Sequence, residues 1–77
     1  DGFYSVRDTM EEISKNEKAL EITAKALKLA TNFDIKPGIG MWDMLKTMKP
    51  EAMTNMISGI QDGFIESLNA RLIKIKK

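Results

Sequence analysis

The stretch Asn16-Glu17-Lys18-Ala19-Leu20-Glu21-Ile22-Thr23-Ala24-Lys25-Ala26-Leu27-Lys28-Leu29-Ala30-Thr31 decides the fold class of this chain. Leu20, Ala24 and Leu27 recur at the three-to-four spacing of an amphipathic helix, and Thr31 extends the stripe by one turn. Ala19, Thr23, Ala26 and Ala30 fill in beside it, small enough for a second helix to come close. Lys18, Glu21, Lys25 and Lys28 occupy the other side, with Glu21 and Lys25 at the favourable i, i+4 spacing. Asn16 is a good N-cap, and Glu17 in the first turn complements the helix dipole.

Shorter helical signals surround this one. Phe3, Tyr4 and Val6 make the lead-in apolar enough to pack down on the domain. Asp8 and Thr9 each have a glutamate three residues on, Glu11 and Glu12, which is the capping-box spacing for a first helix carrying Met10 and Ile13. Downstream, Asn32 to Gly40 (NFDIKPGIG) is a break. Pro37-Gly38 signals a turn, and the residues before the proline are extended. Phe33, Ile35 and Ile39 are expected to tuck under the helices. A third helix is expected over Met41–Met48, with Trp42, Leu45 and Met48 on one face. Pro50 opens a fourth, carrying Met53, Met56 and Ile57 and ending near Ser58-Gly59. A fifth begins near Gln61 or Asp62 with the stripe Phe64, Ile65, Leu68, Leu72 and Ile75, and runs out in a basic end. The expected fold is all-α: one domain over residues 1–77, a compact bundle of four to five short helices, the second and last the longest.

The first two helices and the next two share an outline of short helix, break and second helix. Met10 and Ile13 correspond to Trp42 and Leu45, while Glu17 and Ala19 correspond to Glu51 and Ala52. This fits a worn duplication. It fits better two corners obeying the same capping rules, because two units fall short of the three that usually make a solenoid.

Composition narrows the function more than any motif does. The chain has 77 residues, no Cys and no His. A core of this size supplies only about 3–5 kcal/mol, and neither a disulfide nor an ordinary zinc site can add to it. Cysteine and histidine-assisted serine nucleophiles are excluded. Gly38-Ile39-Gly40 lacks the Lys-Ser/Thr of a phosphate loop and reads as a turn. The acidic pairs Glu11–Glu12 and Asp8–Glu12 sit at a helix start, where they complement the dipole. Five short helices offer no cleft to hold a sugar ring between two carboxyls. No catalytic, cofactor or metal residues are therefore assigned. The net charge of +1 provides no field for nucleic acid. A DNA-binding reading would need Asn69 and Arg71 to read bases, and the charge balance argues against it. No apolar run is long enough to span a membrane. The start at Asp1-Gly2 rather than Met suggests a piece of a longer protein. The compartment is left open, with a cytoplasmic one slightly favoured.

Five of the six methionines fall between Met41 and Met56, beside the only tryptophan, Trp42. Methionine is flexible and polarizable, and Met-rich surfaces adapt to partners. Trp42, Leu45 and Met48 are expected to face the core. Met41 and Met44, with Met53 and Met56, are the candidate interaction residues, forming an apolar patch that meets a parent domain or a protein partner. The alternative is a membrane-surface or lipid-binding module using Phe64, Ile65, Leu68, Leu72 and the cations Arg71, Lys74, Lys76 and Lys77.

The order of these features resembles the small helical segment at the C-terminal end of some bacterial family 3 glycoside hydrolases, the β-glucosidase-like enzymes. Similar segments are appended to other bacterial carbohydrate-active enzymes. The opening Ser-Val-x-Ser-Thr-[hydrophobic]-x-Glu-Ile of such segments is matched by Ser5-Val6-Arg7-Asp8-Thr9-Met10-Glu11-Glu12-Ile13. Asn16-Glu17-Lys18-Ala19 stands where they have Asn-Pro-x-Ala, with Glu in place of the proline. The Met-rich stretch with its proline-led helix, Met41 to Ile57, follows. The close is Ile65-Glu66-Ser67-Leu68-Asn69 with the Lys74–Lys77 tail. The resemblance spans nearly the whole chain. It implies a non-catalytic accessory module at the end of a larger enzyme, and carries over no site residues.

Overall fold

Local capping and one close helix pair build the structure. It is a computed structural model describing residues 2–77. Asp1, the first residue of the expected lead-in, lies outside the described residues. The chain is all-α, with helices α1 (Met10–Ile13), α2 (Glu17–Thr31), α3 (Trp42–Leu45), α4 (Pro50–Met53) and α5 (Phe64–Leu72).

The caps follow the sequence closely. Thr9 is the N-cap of α1, its hydroxyl accepting from the Glu12 N–H at 3.1 Å. Asn16 caps α2, its Oδ1 accepting from the Ala19 N–H at 2.9 Å. Each satisfies a donor that has no partner within its helix. Asn32 ends α2 in the left-handed conformation (φ 65°), which asparagine tolerates better than most residues. The first turn of α1 finds partners elsewhere: the Met10 N–H donates to the Met48 carbonyl and the Glu11 N–H to the Lys46 carbonyl, both at 2.8 Å. The chain leaving α3 thus closes the start of α1.

Helix α2 packs chiefly against α5, and α1 packs against α2. The row of α2 that is fully buried is Ala19, Thr23, Ala26 and Leu27. The expected stripe is therefore displaced: of Leu20, Ala24, Leu27 and Thr31 only Leu27 is fully buried. Small side chains explain the shift, since α5 gains more by lying close over alanines than by resting on a leucine ridge. Leu68 and Leu72 of α5 complete this contact with Met10, Ile13, Ile35 and Met53 in one core.

The two ends of the described chain run side by side. The Tyr4 N–H donates to the Ile75 carbonyl (3.0 Å) and the Lys77 N–H to the Gly2 carbonyl (2.8 Å), flanking a lone antiparallel bridge between Phe3 and Lys76. Tyr4 and Val6 are buried as expected, while Phe3 is exposed. The Asn69 Oδ1 accepts from the Val6 N–H at 3.1 Å, tying α5 to this lead-in.

Two other expectations are corrected. Helix α4 stops at Met53 rather than reaching Ile57, and 54–59 are turns. Thr54 bends its hydroxyl back onto the Glu51 carbonyl (2.9 Å), and the Asn55 and Met56 N–H groups take i→i+3 partners, which tightens the chain out of the α-helix. In the 32–40 connection only Ile35 is buried; Phe33 and Ile39 are exposed. The chain passes under the helices once, between left-handed Asn32 and left-handed Gly38 (φ 83°), and both turn it outward. The two halves with similar outlines also diverge, because α2 has 15 residues and a side-chain cap, whereas α4 has four residues and none.

The Cα extents are 31 × 29 × 17 Å.

Candidate contact surface

Helix α3 divides the methionine block into an inner and an outer face. Trp42 and Leu45, three residues apart, are half-buried and rest on the core with Met48. Met41, at the N-cap of α3, and Met44 within it are 41% and 72% exposed. The bonds from α1 to the Lys46 and Met48 carbonyls hold this orientation, because they anchor the chain just after α3. Met56 lies in the turn after α4 and is 70% exposed. Met53 must be removed from the candidate patch: it is 1% exposed and belongs to the core. The proline-led turn rotates it inward, with buried Pro50 three residues before it on the same face. Met41, Met44 and Met56 thus remain as apolar side chains free for contact.

Two of the carboxylates considered for chemistry, Asp8 and Glu12, are engaged in structure. The Asp8 Oδ2 accepts from the Ser5 N–H (2.9 Å), and its Oδ1 takes the Lys77 ammonium (2.8 Å). Glu12 pairs with Lys15 at 3.2 Å. Among the described residues no three of Asp and Glu gather as a metal site. Hydrogen bonding to Asp8 holds the Lys77 ammonium above its ordinary value; partial burial pulls the other way, and the Asp8 and Glu12 charges add to the rise. The Lys77 Nζ also stands 5.6 Å from the centre of the Tyr4 ring, within cation–π range. One of the four C-terminal cations is therefore committed to the fold.

The apolar face of α5 is likewise committed. Leu68 and Leu72 are buried, and Phe64 and Ile65 are half-buried. Two of the four apolar side chains on which a membrane-surface reading relies, Leu68 and Leu72, lie in the core, and no described helix is long and apolar enough to cross a membrane. Asn69, considered for base reading, is spent on the Val6 backbone.

One feature escaped the sequence reading. A groove of about 530 Å³ runs between α2 and α5, floored by Ala26, Ala30 and Leu68 and rimmed by Leu29, Phe64 and Arg71. Leu29 is 81% exposed. The available signal was a leucine stranded beside Lys25 and Lys28 on the charged side of α2.

No family model, curated protein or solved structure matches the chain.

Proposed function

We propose that this chain is a non-catalytic interaction module, a compact helical bundle that docks on a larger protein through Met41, Met44 and Met56. The observation that carries this reading is the exposure of Met44 and Met56, at 72% and 70%, on elements whose neighbours Trp42, Leu45 and Met53 are packed inward. Burying such side chains against a partner is favourable by about 25 cal/mol per Å² of apolar area. Thioethers also adapt to the partner's shape without strain. The resemblance to helical segments of bacterial carbohydrate-active enzymes supports a parent enzyme, of the glycoside hydrolase kind, as the larger protein. The absence of Cys and His supports a role apart from the chemistry.

Hydrogen–deuterium exchange on the natural full-length protein and on this chain alone tests the reading. Residues 41–57 are expected to exchange more slowly in the full-length protein. Equal exchange in the two, or a natural protein that ends with these residues and binds nothing, contradicts it.

A further inference from the structure

The groove between α2 and α5 carries opposite charges at its two ends. Asp62 stands just before α5 and Arg71 in its last turn, and both line the groove. Along the helix axis they are separated by about 10 Å, at 1.5 Å per residue. Among the described residues neither takes part in an ion pair. The floor is apolar and small, made by Ala26, Ala30 and Leu68, and Leu29 stands exposed at the rim. None of these residues belongs to the methionine surface proposed above for docking.

We infer that this groove is the interface of a two-fold symmetric dimer of the chain. Leu29 of each copy enters the groove of the other, and Asp62 of each pairs with Arg71 of the other.

The charges select this occupant. An anionic ligand lying along the groove is matched at Arg71 and opposed at Asp62; a cationic one meets the reverse. A second copy, turned about a two-fold axis across the groove, presents its Arg71 to Asp62 and its Asp62 to Arg71. One surface then matches itself at both ends, which is the property of an isologous interface. A small dipolar molecule also matches both ends, but it gives no account of an exposed leucine beside a hollow. In the dimer Leu29 is the knob and the alanine floor the hole. Alanine has no side-chain atoms beyond Cβ, and this leaves the groove its volume of about 530 Å³. Burying Leu29 there takes apolar surface out of water and asks nothing of the core. The interface is small, one leucine from each copy with ion pairs at the rim, so association is weak and concentration-dependent. The rim pairs chiefly fix orientation, and their effect falls with salt.

Sedimentation velocity of this chain over a range of concentrations tests the inference, with circular dichroism reporting the fold of each variant. A monomer–dimer equilibrium is expected, weakened by added salt. Leu29→Glu, at an exposed position, should keep the helical spectrum and weaken association at least about tenfold. Asp62→Lys sets a lysine against the partner's Arg71, and Arg71→Glu sets a glutamate against its Asp62. Each variant alone should associate about tenfold more weakly than the original chain. Mixed in equal amounts the two should pair again: the introduced lysine then faces the introduced glutamate, and the remaining Asp62 faces the remaining Arg71. A chain that stays monomeric up to about 1 mM overturns the inference and leaves the groove to another occupant. A dimer that survives Leu29→Glu overturns it too, as does a mixture that associates no better than its components. The docking reading stands or falls apart from these results, because it concerns other residues.

Discussion

The α1–α2–α5 side of the molecule and the 32–63 segment carry similar amounts of apolar sequence but use it differently. On the first side, Tyr4, Val6, Met10, Ile13, Leu27, Leu68 and Leu72 all disappear into the core. In the second, only Ile35, Pro50 and Met53 are buried, while Phe33, Ile39, Met41, Met44 and Met56 face solvent. The second region also holds Gly38, Gly40, Gly59 and Gly63 at positive φ and only four-residue helices. Apolar content alone does not bury a segment. Burial goes to residues that join the one core cluster, wherever they stand: Tyr4 and Val6 lie in no helix and Met10 and Ile13 on a four-residue one, while Leu29 of α2 itself is exposed.

This contrast is easiest to break from the core side. Leu27→Ala, at a fully buried position on α2, is expected to cost about 2–5 kcal/mol. That is comparable with the whole stability of a domain this small, so urea denaturation followed by circular dichroism should find the variant largely unfolded. Met44→Ala, a truncation of similar size in the other region, should change stability by less than about 0.5 kcal/mol. If the two variants melted together, the division between the regions would fail.

A second substitution sharpens the picture of the α2–α5 contact. The Thr23 hydroxyl is buried without a hydrogen-bond partner. Valine keeps the shape and removes the unpaired group, whose burial costs about 1–3 kcal/mol. Thr23→Val should therefore stabilise the chain by about 1 kcal/mol after losses in fit, seen as a higher denaturation midpoint. A lower midpoint would mean that the hydroxyl has a partner.

Next comes the cap. Asn16→Ala leaves the Ala19 N–H without its acceptor and should cost about 1 kcal/mol. No comparable cap exists on α3 or α4, where the N-cap residues Met41 and Lys49 make no side-chain bond. Alanine at Lys49 should therefore be nearly silent in the same assay.

The clasp between the chain ends gives the most conditional effect, read through pH. Lys77 is raised above its ordinary value by Asp8 in the folded chain. Its contribution is thus complete below the unfolded lysine value and is lost as pH rises through the folded one. Asp8→Asn removes the carboxylate that causes the rise. The Tm difference between the original chain and this variant should narrow on the alkaline side; a difference that grew with pH would contradict the pairing.

Much of this was legible in the residues. Thr9 and Asn16 announced their helices because a side-chain cap is a local device, complete within four residues. Leu68 and Leu72 announced the face of α5 by their spacing. The displaced stripe on α2 was not legible, since the choice between a leucine ridge and an alanine row depends on how near the neighbouring helix can come. The burial of Met53 is not legible for a related reason: a block of methionines names no inside until Pro50 and the turn after it set the rotation. The joined ends and the bonds from α1 to the chain leaving α3 are long-range facts with no local signature.

The division of the methionines is the claim on which the functional account stands. It is tested most directly by labelling all six with ¹³C at the ε-methyl group. Relaxation by a soluble paramagnetic probe is then compared in this chain alone and in the natural full-length protein. The account predicts that Met10 and Met53 stay sharp in both, while Met41, Met44 and Met56 broaden in the isolated chain and recover in the full-length protein. Broadening of Met53 to match Met44 would contradict the fold assigned here, and unrelieved broadening of Met44 and Met56 in the full-length protein would contradict the docking.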